Sequence, residues 1–129
     1  LNFELHVASP KSCQPPAEFI ASLDSDMITV SDDPISAVKG ADVINTDVWL
    51  SMGQEDQKEK EAEFAGYQLE SELLSGAAEG HIVLHCLPAY RGKEISEEIL
   101  EKHADTIFQQ AENRLHAQKA VLVALAQAK

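Results

Sequence analysis

Apolar positions along this chain fall into short clusters separated by polar, Gly- or Pro-marked breaks. Phe3 to Ala8 is a short apolar run closed by Ser9-Pro10, which predicts a strand. Pro15-Pro16 opens a segment with Phe19, Ile20 and Leu23 at helical spacing, so a helix is expected to about Leu23. Met27 to Val30 is β-branched and short, a second strand. Asp32 or Asp33 can cap the next helix, with Pro34 in its first position, where a missing N–H costs nothing, and Gly40 ends it. Val43 to Thr46 predicts the third strand. Gln54 to Ala65, rich in Glu and Lys, predicts an exposed helix broken at Gly66-Tyr67, and Leu69 to Leu74 begins another. His81 to His85 predicts the fourth strand. Ser96 caps a helix over Glu97 to His103, with Glu97 and Glu98 in its positive first turn. Thr106 to Phe108 reads as a last short strand, and Gln109 onward as a long helix.

Strands alternating with helices predict an α/β fold: a parallel sheet flanked by helices, in one domain of 129 residues. Such sheets bind ligands at the carboxyl ends of their strands. The loops that follow strands three and four, Asp47–Gly53 and Cys86–Gly92, are therefore the places to look for chemistry.

Charge and composition narrow the partners. With 22 acidic and 10 basic residues the formal net charge is -12, which disfavours nucleic acid and anionic membrane surfaces. A negative field suits a cationic small ligand, although solubility alone also explains it. The longest apolar run, Ala120–Ala126, falls far short of the about 20 residues needed to span a bilayer, and no secretory h-region opens the chain. Cys13 and Cys86 lie far apart in unlike contexts and make no disulfide framework, so a reducing, cytoplasmic setting is expected.

Each motif supports two readings. Asp47 through Gly53 offers a carboxylate, a hydroxyl on Ser51 and a Gly-flanked backbone able to donate N–H groups. That set suits the ammonium and carboxylate of an amino acid; equally, Asp47 and Ser51 can simply cap a turn. His85-Cys86-Leu87-Pro88 places an ionisable thiol beside a histidine, and Leu-Pro can take a cis bond that aims a carbonyl into a cleft. The plain alternative is a buried cysteine followed by a loop proline. Arg114, near the start of the last helix, can fork onto an anion or remain a surface charge. The sequence has no CxxC and no HExxH, so no metal site is expected. It has no GxGxxG, no GxxxxGK[ST] and no GxSxG elbow, and nothing in it calls for a cofactor.

Together the segments resemble the ornithine carbamoyltransferase family. Asp47-Val48-Trp49-Leu50-Ser51-Met52-Gly53 resembles its ornithine-binding D-x-x-x-S-M-G loop, His85-Cys86-Leu87-Pro88 its H-C-L-P signature, and Glu112-Asn113-Arg114 the E-N-R opening its last helix. The resemblance runs nearly end to end, including Ala8-Ser9-Pro10-Lys11. It implies the Rossmann-like second domain of aspartate and ornithine carbamoyltransferases, truncated at its N-terminus. The family's S-T-R-T loop for carbamoyl phosphate is absent from this sequence. The chain then reads as a fragment covering most of the ornithine-binding domain over 1–129. Its segment 109–129 is expected to pack on the absent carbamoyl-phosphate domain.

The resemblance also implies roles. Asp47 and Ser51 would hold the α-ammonium of L-ornithine, and the Met52 backbone its α-carboxylate. Cys86 would face the δ-amine and accept its proton. The Leu87 carbonyl would orient the carbamoyl NH2, with Cys86 alongside, and Arg114 would bind the carbamoyl oxygen of carbamoyl phosphate. The implied partners are L-ornithine, carbamoyl phosphate and, in the full-length homotrimer, the N-terminal domain. The product is L-citrulline, and the setting arginine biosynthesis. A non-catalytic amino-acid-binding module and a carbamoyltransferase for another amine, such as putrescine, are the alternatives.

Overall fold

A computed structural model of the chain describes residues 3–23, 25–50 and 58–128. β1 (Leu5–Ala8) pairs in parallel with β2 (Ile28–Ser31), with Leu5 opposite Ile28. β3 (Val43–Thr46) pairs in parallel with β4 (Ile82–His85), with Thr46 opposite His85. Helices make the connections. α1 (Ala17–Ala21) lies between β1 and β2, and α2 (Pro34–Val38) between β2 and β3. α3 (Lys58–Glu63) and α4 (Ser71–Leu74) lie between β3 and β4. α5 (Glu97–Lys102) and α6 (Ala104–Gln127) complete the chain. The α/β architecture with parallel strands matches the sequence reading.

Local chemistry explains where the helices begin. Of the two candidate caps, Asp33 is the one used: its Oδ1 accepts the N–H of Ile35 at 3.0 Å and of Ser36 at 3.1 Å. Ser96 caps α5 by accepting the N–H of Ile99 at 3.2 Å. The core gathers Val38, Ile44, Leu69, Leu74, Val83, Ile95, Ile99, Leu100 and Ile107. Leu69 bridges to Ile95 rather than opening α4, and α1 stops at Ala21, short of Leu23.

One expectation for the last third is corrected. Thr106–Phe108 is no strand; α6 starts at Ala104 and runs through it. The helix wins because its period buries Ile107 completely while leaving Phe108 61% exposed. A further reason is that the Thr106 hydroxyl donates to the carbonyl of Val83 at 2.9 Å, so α6 covers the outer edge of β4. At the apolar end of α6, Val121, Leu122 and Leu125 are 58%, 67% and 68% exposed. No helix among the described residues is long and apolar enough to cross a membrane.

The α5–α6 junction carries a pH dependence. His103 stacks on His81 with ring centroids 5.4 Å apart, and the Nε2 atoms of both rings are buried without a partner among the described residues. Burial, then the neighbouring His81 and Lys102, holds the His103 pKa below its ordinary value. The unfolded chain therefore takes up the proton first as pH falls. Stability is expected to be full above the ordinary histidine pKa and to decline as pH drops below it. Denaturant titrations at pH 7.5 and 5.5 should show this decline, and His103→Asn should reduce it. An equal decline in the variant would remove His103 as its source.

Candidate functional site

Parallel register builds the site. Because Thr46 stands opposite His85, the next residue on each strand, Asp47 and Cys86, emerge side by side at the carboxyl ends of β3 and β4. The Cys86 thiol donates to Asp47 Oδ1 at 3.0 Å, and the same oxygen accepts the N–H of Val48 at 2.7 Å. Cys86 is exposed as a residue, with its sulfur turned onto the carboxylate. Partial desolvation of the sulfur pushes its pKa up first, and the hydrogen bond to Asp47 adds to this; Arg114 acts in the opposite direction. In the ligand-free chain the sulfur is accordingly a thiol at neutral pH.

The loop after Cys86 is held from below. Leu87 sits at φ 53°, a left-handed conformation uncommon for a branched side chain, and the Leu87–Pro88 bond is cis, the geometry that the sequence allowed. The Leu87 N–H donates to His85 Nδ1 at 2.9 Å. Nδ1 must then present its lone pair, so Nε2 carries the hydrogen and donates to Glu94 Oε1 at 2.9 Å. Both side chains are fully buried. Glu94 Oε1 also accepts the N–H of Tyr90 at 2.7 Å, which ties the two ends of the 85–94 loop together. Glu94 Oε2 is buried with no partner among the described residues. Glu94 is the residue that sequence reasoning missed. As one of 22 acidic residues in an acidic chain, it carries no signal of burial.

Above Asp47 the chain is braced by aromatics. Trp49 stacks on Phe64 with centroids 5.6 Å apart, and Phe64 meets Tyr67 edge-on at 5.8 Å. The Tyr67 hydroxyl donates to the Asp32 carbonyl at 2.9 Å. A cavity of about 370 Å³ opens beside Asp47 and Trp49 and runs back between β1 and β3. Arg114, on α6, is close enough to Cys86 to act on its thiol electrostatically. Asp47, Cys86 and Leu87 thus lie together at the carboxyl ends of β3 and β4. Ser51 and Met52 lie outside the described residues. Among the described residues no group of three or more His, Cys, Asp or Glu is gathered for a metal.

Comparison with known proteins follows from this geometry. Residues 1–125 match the Asp/Orn-binding domain of the aspartate/ornithine carbamoyltransferases. An ornithine carbamoyltransferase of Akkermansia muciniphila is 55% identical over 130 residues, covering 100% of this chain and 43% of that protein. The anabolic enzyme of Pseudomonas aeruginosa is 52% identical over 122 residues, 94% of this chain and 40% of that protein. Among solved structures, the anabolic ornithine carbamoyltransferase of Campylobacter jejuni superposes with a TM-score of 0.88 at 44% identity, covering 98% of this chain and 44% of that one. The Pyrococcus furiosus enzyme gives 0.82 at 39% identity, covering 95% and 41%. This chain therefore spans less than half the length of these relatives.

Proposed function

Since this chain belongs to the aspartate/ornithine carbamoyltransferase family, matching its Asp/Orn-binding domain, we propose that it is the ornithine-binding part of an ornithine carbamoyltransferase. The observation that carries the reading is the Cys86–Asp47 pair, 3.0 Å apart at the ends of two adjacent parallel strands. In the complete enzyme the δ-amine of L-ornithine attacks the carbamoyl carbon of carbamoyl phosphate. A C–N bond forms, the C–O bond to phosphate breaks, and L-citrulline and phosphate leave.

The residues divide this work. Asp47 and Ser51 take the α-ammonium of ornithine and the Met52 N–H its α-carboxylate. Such a set suits an α-amino acid; a diamine such as putrescine brings no carboxylate. An alkylammonium, with a reference pKa near 10.4, cannot attack until it loses a proton. The δ-amine arrives beside Cys86 in this scheme, and an ammonium next to the sulfur favours its thiolate, as Arg114 does. Cys86 then accepts the proton. Arg114 stabilises the charge that develops on the carbamoyl oxygen, and the Leu87 carbonyl orients the carbamoyl NH2. No cofactor or metal enters this scheme. The free thiols Cys13 and Cys86 fit a cytoplasmic enzyme. The exposed apolar end of α6 packs on the carbamoyl-phosphate domain, and the complete enzyme assembles as a homotrimer through that domain.

A chimera tests the reading. Residues 1–129 replace the matched segment of the Akkermansia muciniphila enzyme, and citrulline is measured with ornithine and, separately, the carbamoylated product with putrescine. Citrulline formation is expected, with little turnover of putrescine. A folded chimera that makes no citrulline would overturn the proposal. Leu122→Asp in the same chimera is expected to disrupt assembly if α6 docks as described; an intact oligomer with full activity would count against that docking.

A further inference from the structure

Asp47 and Cys86 stand on separate loops, and one short segment of the chain reaches both. Residues 61–69 run from the last turn of α3, bend at Gly66 with φ 89° and end on the buried Leu69. On one side Phe64 stacks on Trp49, two residues past Asp47, with centroids 5.6 Å apart. On the other side three bonds reach the far end of the Cys86 loop. Glu61 Oε1 pairs with Lys93 Nζ at 2.9 Å, Gln68 Nε2 donates to the Lys93 carbonyl at 2.7 Å, and the Leu69 N–H donates to the Glu94 carbonyl at 2.9 Å. The Lys93 N–H in turn donates to the Tyr90 carbonyl at 3.0 Å, and its ammonium lies 5.6 Å from the centre of the Tyr90 ring. The next residue, Glu94, carries the carboxylate that holds His85 and the Tyr90 N–H. Whatever fixes Lys93 therefore fixes the base of the loop that presents Cys86.

We propose that residues 61–69 are a brace between the two loops, and that Lys93 and Glu61 are positioning residues for the proton transfer: through the brace they keep the Cys86 sulfur against Asp47. The proposal rests on the reading of Cys86 and Asp47 as members of the reacting site. Strand register alone does not secure their approach. The β3–β4 ladder ends with Thr46 opposite His85, so Asp47 and Cys86 lie past the last paired residues and depend on what holds the loops. Small displacements there matter, because proton transfer needs its partners within hydrogen-bond reach. An isolated exposed ion pair contributes little, but the Glu61 side chain is only 28% exposed, and Gln68 and Leu69 bond to the same two loop residues. Asp47 and Arg114 are the side chains that act on the Cys86 thiol, so an effect of Lys93 on that thiol passes through the brace. The links lie in series, with Phe64 on Trp49 at one end and Lys93 at the other. Cutting either end releases the same contact, and cutting both adds nothing further.

The test reads the ionisation of Cys86 in this chain. Iodoacetamide alkylation is followed against pH at the Cys86 peptide by mass spectrometry, which keeps Cys13 out of the signal. Lys93→Met removes the ammonium and keeps the length of the side chain. Loss of a nearby cation by itself would move the thiol midpoint up. Release of the brace moves it down instead, because the sulfur loses the Asp47 hydrogen bond and gains water. A downward shift is expected, about a threefold rise in the acidity constant. Lys93→Arg keeps the pair with Glu61 and should restore the wild-type midpoint. Glu61→Gln and Phe64→Leu should each reproduce the shift, and Phe64→Leu combined with Lys93→Met should give no more than either alone. Circular dichroism confirms that each variant is folded. In the chimera described above, Lys93→Met is expected to lower kcat about threefold or more, with Lys93→Arg retaining it. An unchanged or raised thiol midpoint in Lys93→Met, additive shifts in the double variant, or an unchanged kcat in an active chimera would overturn the proposal. A chimera that makes no citrulline overturns the carbamoyltransferase reading instead, and the thiol measurement still decides whether the brace holds the pair.

Discussion

Replacing His85 with alanine is expected to cost the chain roughly 3–5 kcal/mol of folding stability, the range for breaking a buried ion or hydrogen-bonded pair by removing one partner. His85 and Glu94 are both fully buried, and their 2.9 Å contact is the main support of the Glu94 carboxylate. His85→Ala leaves that carboxylate in the core with only the Tyr90 N–H as donor, and it also deprives the Leu87 N–H of its acceptor. Against a total stability of about 5–15 kcal/mol for an ordinary domain, this is a large fraction. His85→Ala should shift the denaturant midpoint far more than Glu94→Gln, which keeps an amide oxygen for both the Tyr90 N–H and the His85 Nε2–H. Urea unfolding followed by circular dichroism measures both. A cost within about 1 kcal/mol for His85→Ala would mean that water replaces the imidazole, and that the pair does not hold the loop.

The second large effect is catalytic. In the complete enzyme, Cys86→Ser is expected to lower kcat by about 10²–10⁴-fold, the usual contribution of a positioned general base. It should change the KM for ornithine much less, because in the proposed scheme Asp47, Ser51 and Met52 hold the other end of the substrate. The pH profile separates base from bystander. Desolvation and the Asp47 hydrogen bond push the Cys86 thiol up, so wild-type turnover should rise with pH as the thiolate forms. A serine hydroxyl does not ionise in that range, so the variant should keep only the rise that comes from the substrate ammonium itself. Equal kcat in the two proteins, or an unchanged pH profile, would remove Cys86 from proton transfer and leave it a packing contact.

The sequence was explicit wherever a single local interaction decides the outcome. Val43–Thr46 and Ile82–His85 are short β-branched runs and fold as strands. Ser96 reads as a cap and caps. The pairing of Asp47 with Cys86 was legible for a related reason: both directly follow strands, and in a parallel α/β fold that position brings them to one edge. Thr106–Phe108 misled because β-branching is only a weak local preference. The core contact of Ile107 and the bond from Thr106 to the Val83 carbonyl outweigh it, and neither is visible in a window of neighbouring residues. The apolar stretch Val121–Leu125 is exposed, and nothing among the described residues covers it.

By itself, then, the sequence determined most element types, the parallel α/β class and the position of Asp47 and Cys86 at strand ends, because caps, periodicities and strand ends are short-range properties. Tertiary structure decided what those properties cannot encode. It chose Glu94, from among 22 acidic residues, as the one sealed against His85. It set the 3.0 Å approach of two side chains that lie 39 residues apart in sequence. It brought His6 and Ala8 of β1 and Val43 and Asn45 of β3, from separate strand pairs, to line one cavity. Each of these depends on which elements become neighbours in space. That is fixed by burial of the shared core and by strand register, and these act over distances along the chain at which composition and spacing carry no information.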